Sequence, residues 1–355
     1  MTTAPPVRAA LIGYGFAGKT FHAPLLMAEP GIALTHVASS NAAKVHADLP
    51  HAIVDADPRA IATSPDVDLV VIASPNDSHA PLAEAALSAG KHVVVDKPFT
   101  LDVAEARALI ALSERNARLL SVFHNRRWDS DFLTVQQAIA DGLVGTVSQF
   151  ESHIDRYRPA VRVRWREGDG PGSGLWYDLG PHLIDQALRL FGLPERVQAS
   201  LARQRPGALT DDWAHVLLEQ GDVRTILHAG MLVAGGSRRF IVHGDTGSIV
   251  KPKIDIQESQ LLAGMAPGAP GWGVDPDPLL VWDAEGTERT RPATPGDQRA
   301  YYAGIAAAIA GIAPNPVPAI QALAVMAVLD AAAESARTGM AVVPHLTEQE
   351  RAAWH

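Results

Sequence analysis

The chain contains no cysteine. That excludes disulfides, thiolate metal sites and a cysteine nucleophile, and it leaves the redox compartment open. Basic charge is also short: 30 Lys and Arg stand against 39 Asp and Glu, a formal net charge of −9. No global field therefore favours nucleic acid or an anionic membrane. Long apolar runs are missing too. The most apolar stretch, residues 300–333, is cut by Pro314, Asn315, Pro316 and Pro318. Neither half reaches the roughly 18–20 apolar residues of a membrane span. The start, MTTAPPVRAALIG, does not join a cationic segment to a long apolar one as a secretory signal does. These absences predict a soluble, cytoplasmic protein with neither nucleic-acid nor membrane partners. What remains is a globular composition, 47% hydrophobic and 19% charged over 355 residues. That length sits near two domains.

Up to residue 125 the chain alternates short apolar runs with helical patterns. Val7–Ile12, Ile32–Ala38, Asp68–Ala73, His92–Val95 and Leu119–Phe123 are strand-like. Helical stretches follow the first run to Ala28, span His79–Ala89 before Gly90, and open at Asp102 to run to about Asn116. Asp102 with Glu105 three residues on resembles a capping box. Near-continuous apolar strands separated by helices predict a parallel sheet covered on both faces, a doubly wound α/β domain. From 126 to 355 the pattern changes. Strand-like segments at 144–157, 195–204, 212–219, 223–231, 238–243 and 253–258 predict an α+β domain with a mostly antiparallel sheet. One helical stretch, Trp176–Phe191, interrupts them, and residues 167–174 and 263–278 read as Gly/Pro-rich loops. A helix opens at Pro295 and Asp297 and closes at Gly311, and another runs from Pro318 to Gly339. These last helices are candidates to pack back on the first domain.

Gly13-Tyr14-Gly15-Phe16-Ala17-Gly18 follows the first strand and opens the first helix. The first glycine permits a tight turn, the second lets the backbone approach a pyrophosphate, and the third lets helix and strand pack closely. The helix N-terminus then offers unpaired N–H groups and a positive dipole end. A plain structural turn is the alternative. No Gly-Lys-Ser/Thr follows, so a mononucleotide P-loop is unsupported. Which dinucleotide binds is decided after the second strand, where a carboxylate selects NAD through the ribose 2′-OH. Here the sequence offers Ser39, Ser40 and Lys44, with the first carboxylate only at Asp48. These are donors for a 2′-phosphate and predict NADP over NAD. A solvated turn with a helix cap at Ser40 or Asn41 is compatible with the same residues.

Two further groups carry candidate chemistry. Lys97 sits just past a strand end, at the edge where doubly wound sheets bind ligands, and can polarise an oxygen or relay a proton. Read alone, Asp96-Lys97-Pro98 is a surface turn; its context at the strand end is what makes it a functional candidate. In Asp178-Leu179-Gly180-Pro181-His182-Leu183-Ile184-Asp185, positions 178, 182 and 185 share one helical face. His182 is the best general base, because an imidazole titrates near working pH. Asp178 can hold substrate hydroxyls or pair with Lys97, and Asp185 can orient His182. The structural alternative is that Asp178 caps the helix, His182 packs inside, and Pro181 is a first-turn proline. A metal at His182 is not expected, for want of a second histidine at ligand spacing.

The string LVVIASPNDSHAPLAEAALSAGKHVVVDKPF resembles the Gfo/Idh/MocA oxidoreductases, whose pattern runs strand, T/S-P-N-x-x-H, helix, A-G-K-H-V, strand, E/D-K-P. The Gly-loop, Ser74-Pro75-Asn76 with His79, Asp96-Lys97-Pro98, and Tyr157 to His182 fall in that order. Asp96 stands where Glu is commoner. GYGFAGKTFHAPLL and GSGLWYDLGPHLIDQAL are most similar to the NADP-dependent scyllo-inositol dehydrogenase branch. The resemblance implies a Rossmann domain holding NAD(P), and a second domain whose open sheet serves a homodimer or homotetramer. The substrate would lie between them. It also implies hydride exchange with a secondary alcohol or ketone of a cyclitol, sugar or polyol. By the same resemblance Lys97, Asp178 and His182 are catalytic and touch substrate. Phe16, Ala17, Ser74, Pro75, Asn76, His79, Asp96, Lys97 and Asn125 join the Gly-loop around the cofactor. Arg156, Tyr157 and Trp165 wall the substrate pocket. The role of His22 is open. Two rivals share these residues: a non-catalytic NADP-dependent sensor, and a glycosidase or lyase that retains its cofactor.

Overall fold

Six apolar runs pair in one parallel sheet: β1 (Val7–Ile12), β2 (Ile32–Ala38), β3 (Ile53–Asp55), β4 (Leu69–Ile72), β5 (His92–Val95) and β6 (Leu120–Val122). Their order is β3-β2-β1-β4-β5-β6. The computed structural model describes residues 5–354. All of β4 is fully buried, as a strand must be when helices cover both faces of its sheet. The helix Val103–Arg115 starts where the sequence says. Asp102 accepts the N–H of Glu105, and the Glu105 carboxylate accepts the N–H of Leu101. β3 escaped the sequence reading because it is three residues long and leaves Ile53 exposed. The sheet order reverses between β1 and β4, and the loops after those two strands flank the crevice where such sheets bind ligands.

The second sheet has eight strands: β7 (Val147–Asp155), β8 (Arg196–Ala202), β9 (Trp213–Gln220), β10 (Val223–Gly230), β11 (Phe240–Gly244), β12 (Gly247–Lys251), β13 (Leu279–Asp283) and β14 (Glu288–Arg291). They lie in the order β14-β13-β12-β11-β7-β10-β9-β8. β7 and β10 run parallel and the other neighbours antiparallel. Alternation is clear on β10, where Thr225, Leu227 and Ala229 are buried and Arg224 is exposed. The helix Leu175–Phe191 packs on this sheet. It also packs against the helix Ala319–Thr338, which is apolar and long enough to cross a membrane but is mostly buried as a core helix. Gly180 permits that approach, since a Cβ there would stand 2.9 Å from both Leu329 and the Trp176 ring.

Several expectations are corrected. Residues 253–258 are not a strand; the strand is β12, and a helix begins at Gln257. The apparent alternation in that segment is inverted in space. Ile254 is exposed, whereas Asp255 is buried and accepts the N–H of Ser130 at 2.9 Å. Pro181 is not in the first turn. The helix begins at Leu175, because Asp211 accepts the N–H of Trp176 at 2.7 Å and so caps it from a distant loop. The chain divides into two units. One holds everything to Asn125 together with Gln257–Trp272 and Asp297–Leu323, and the other holds Arg126–Ile256, Gly273–Gly296 and the chain from Ala324.

Candidate active site

In the first unit the glycine loop follows β1 and leads into a helix whose residues Gly18–His22 are π-wound. The three glycines answer to different constraints. Gly13 has φ +95°, and a Cβ there would stand 2.7 Å from Ala73 O. At Gly18 a Cβ would fall on Gly13 O. Nothing lies within 4 Å of a Cβ placed at Gly15. The fold itself thus requires Gly13 and Gly18, while the open space at Gly15 fits an approaching pyrophosphate. Phe16, beside it, is 57% exposed, and Ala17 precedes the π-wound turn.

The end of β2 meets this loop through Lys44, whose Nζ donates to Tyr14 O at 2.7 Å. An ammonium has three N–H donors, so two remain for a phosphate. Ser40 is exposed, Ser39 Oγ accepts the Asn41 N–H, and Asn41 caps the next helix by accepting the Lys44 N–H. Both readings of this turn therefore coexist. Asp48 is engaged elsewhere, 2.7 Å from Lys19 Nζ and accepting the Tyr14 hydroxyl at 3.0 Å. The hydrogen bond from Lys19 is the chief reason its carboxyl is held below the usual range. Tyr14, Lys19 and Asp48 form a strut under the loop that no local motif announced.

After β4, Ser74 and Ser78 share a hydroxyl hydrogen bond, and Pro75 leads into the turn Asn76–Ser78, with Asn76 buried. His79 is 1% exposed. Its Nδ1 faces Pro98 O at 2.9 Å and its Nε2 faces Ser74 O at 3.0 Å. It ties the loop after β4 to the one after β5, so its service to a ligand goes through the loops it holds. Burial pushes its imidazolium down, against the pull of Asp96 and of those carbonyls. Lys97, half-exposed, follows β5, and its peptide bond to Pro98 is cis. The Lys97 N–H donates to Asp96 Oδ1 at 2.8 Å.

Asp96 is buried beneath this turn. Burial would raise its carboxyl, but His22, Lys97 and His79 together carry it down to about 2. His22 Nε2 lies 3.7 Å from Asp96 Oδ1. His22 is fully buried, its ring centroid 4.1 Å from that of Phe123 in a tilted contact and its Nδ1 2.6 Å from the Tyr302 hydroxyl. That places the open residue: it supports Asp96, and through it the Lys97 turn. Asn125, buried, begins the turn that follows β6.

In the second unit the helix Leu175–Phe191 carries Asp178 near its start, then His182 and Asp185, the last two buried. Asp185 takes a bidentate grip from Arg127, with Nε 2.8 Å from Oδ2 and Nη2 2.6 Å from Oδ1. Both carboxylate oxygens thus bond the Arg127 guanidinium, which lies in the turn after β6. Arg126 likewise pairs with Asp129 at 2.9 Å. Asp178 faces Arg166 at 3.5 Å. It shares a pocket with Arg164, Arg166, Glu167, Arg205 and Asp211. Tyr157 and Trp165 are 61% and 41% exposed, so Trp165 is not a core residue, and the Arg166 guanidinium lies 4.6 Å over its ring. Arg164, Arg166, Arg205 and Asp211 were not singled out from the sequence. The density of arginine in this part of an acidic chain was the signal available for the first two.

The chain is similar to known proteins along most of its length. Residues 7–124 match the oxidoreductase family's NAD-binding Rossmann fold, and residues 136–344 match its C-terminal alpha/beta domain. The chain is 52% identical over 334 residues to the oxidoreductase YdgJ of Escherichia coli, covering 93% of this chain and 96% of YdgJ. It is 36% identical over 336 residues to the scyllo-inositol 2-dehydrogenase (NADP(+)) IolW of Bacillus subtilis, covering 93% and 94%. The crystal structure of a Klebsiella pneumoniae protein, 59% identical, superposes with a TM-score of 0.94 over 98% of each chain. With the glycine loop, the Asp96-Lys97-Pro98 turn and both domains accounted for, the chain belongs to the Gfo/Idh/MocA family of oxidoreductases.

Proposed function

We propose that the protein exchanges hydride between NADP(H) and a secondary alcohol or ketone of a cyclitol, sugar or polyol, with scyllo-inositol-like compounds the first to try. The observation that carries the cofactor half is Gly15, whose side-chain position is open where the chain does not need glycine. Backbone N–H groups of the loop hold the pyrophosphate, and Ser39, Ser40 and Lys44 take the 2′-phosphate. The lack of a carboxylate at the end of β2 and the engagement of Asp48 by Lys19 and Tyr14 favour NADP over NAD. IolW, a relative over most of its length, is named for NADP.

Bound nicotinamide supplies the hydride acceptor or donor. The chain supplies the proton chemistry and the placement that make transfer productive. Lys97, held by Asp96 below and by His79 through Pro98, polarises the substrate oxygen. His182 takes or returns the hydroxyl proton, and Asp178 orients neighbouring hydroxyls. Copies of the chain associate through the face of the second sheet on which His153, His228 and His215 align across β7, β10 and β9, which light scattering tests.

The test is formation of reduced nicotinamide from NADP and, separately, NAD against a panel of inositols, aldoses and small polyols at mildly alkaline pH. NADPH formation confined to one stereochemical set supports the proposal. Preferential NADH formation contradicts the role given to Ser39, Ser40 and Lys44. Silence with both cofactors, while NADP binds, moves the reading to a sensor.

A further inference from the structure

In the first unit a line of buried polar groups ends at the Lys97 turn. Its far end is Tyr302, on the helix Arg299–Ile309 and fully buried. The Tyr302 hydroxyl lies 2.6 Å from Nδ1 of His22, and among the described residues it makes no other hydrogen bond. On the other side of the imidazole, Nε2 has no hydrogen-bond partner among those residues and lies 3.7 Å from Asp96 Oδ1. The same Oδ1 accepts the Lys97 N–H at 2.8 Å. Aromatic rings shut the line off from water: Phe123 contacts both His22 and Tyr302, and Tyr301 meets Phe123 and Tyr302 edge-on.

The placement of one hydrogen follows from this geometry. Burial above all, with Tyr301 and Asp96 adding to it, pushes the Tyr302 phenol well above its usual range, so the hydroxyl keeps its proton. A buried O–H must donate or lose the full cost of its desolvation, and His22 Nδ1 is the acceptor at hand. An Nδ1 that accepts carries no hydrogen, so a neutral imidazole has its hydrogen on Nε2, facing Asp96. The other tautomer would strand the phenol hydrogen and turn an Nε2 lone pair toward a carboxylate. An imidazolium would strand the same hydrogen. Asp96, held down to about 2 against burial by His22, Lys97 and His79, is the anion this N–H faces.

We infer that Tyr302 is a positioning residue for Lys97: its hydroxyl fixes His22 in the neutral tautomer whose Nε2–H faces Asp96, and that N–H steadies the carboxylate on which the Lys97 N–H rests. This rests on the reading of Lys97 as the group that polarises the substrate oxygen. Nitrogen NMR of the imidazoles, on the full chain with NADP at neutral pH, reads the tautomer; the His22 signals are those missing from His22→Gln. A bare Nδ1 and a protonated Nε2 are expected, and Tyr302→Phe should move the Nδ1 signal as its donor goes. Amide exchange at Lys97 reads the far end of the line, and should quicken about three- to tenfold in Tyr302→Phe and in His22→Leu. Below the melting temperature of each variant, kcat should fall by a similar factor with NADP affinity unchanged. His22→Gln, whose amide N–H can reach toward Asp96, should keep more of that kcat than His22→Leu.

A protonated Nδ1, in the other tautomer or in an imidazolium, overturns the inference. So do lower melting temperatures with unchanged kcat and unchanged Lys97 exchange in both Tyr302→Phe and His22→Leu, the result of a purely structural role. A wild-type chain that oxidises no polyol removes the reading of Lys97 as a catalyst. The tautomer and the Lys97 exchange then decide the inference by themselves: quickened exchange upholds the line from Tyr302 to Lys97, and unchanged exchange overturns it.

Discussion

The two units fix their chemistry-bearing residues by different means. In the first, backbone does most of the positioning: Gly13 and Gly18 are set by carbonyls, His79 by the carbonyls of Ser74 and Pro98, Lys97 by its own N–H on Asp96. In the second, buried ion pairs do it. Arg127 grips Asp185, Arg239 reaches Asp131 at 2.9 Å, and the fully buried Lys251 lies between Asp275 at 3.0 Å and Asp277 at 2.6 Å. A doubly wound sheet brings strand ends to one edge, so short local motifs suffice there. An open, mostly antiparallel sheet has no such edge, and its polar residues must be held by partners distant in sequence.

The largest expected effect tests the first arrangement. Lys97→Ala should lower turnover by about 10²–10⁴-fold while NADP still binds, read by steady-state kinetics beside cofactor titration. Normal turnover would remove Lys97 from the chemistry. The second arrangement is tested by Asp185→Asn, which leaves the buried Arg127 cation without its carboxylate. Breaking a buried pair costs about 3–5 kcal/mol, so the denaturant midpoint should fall sharply; an unchanged midpoint would show that the pair is dispensable.

Paired glycine changes sharpen the contrast within one loop. Gly18→Ala forces a Cβ onto Gly13 O and should cost ~1–3 kcal/mol of stability. Gly15→Ala meets no protein atom, so its melting temperature should hold while NADP affinity falls. Equal melting losses in both would refute the assignment of Gly15 to a ligand. The smallest effect is in acid. Asp96 has its folded pKa depressed from 3.8 to about 2, so the stability it adds is present above pH 3.8 and fades as pH falls toward 2. Asp96→Asn should flatten the stability curve across that window, and an unaltered acid limb would contradict the role of His22 and Lys97 in holding the charge.

The same contrast decides what could be read beforehand. All strands of the first sheet but β3, the glycine loop and the Asp102 cap were legible because each is local: an apolar run, a turn, an i to i+3 bond. The 253–258 segment misled because Asp255 is buried by the Ser130 N–H and Ile254 is left outside, against the apparent alternation. β13 and β14 fell beyond the loop read at 263–278 and were not recognised. Asp185 was read beside His182 because the two share a helix; Arg127, which grips its carboxylate, lies 58 residues away, where no local pattern points to it. His22 had no readable role until Tyr302, 280 residues on, and Asp96 were seen beside it.

The most direct test of the account is the fate of a single hydrogen. A cyclitol or sugar deuterated at the reacting carbon would be incubated with NADP and the protein, and the recovered nicotinamide examined by mass spectrometry. The account predicts deuterium in NADPH in proportion to turnover. Deuterium that returns to the sugar product, with no net NADPH, would instead identify a retained-cofactor glycosidase or lyase, and no transfer in a single turnover with bound NADP would contradict catalysis by this chain.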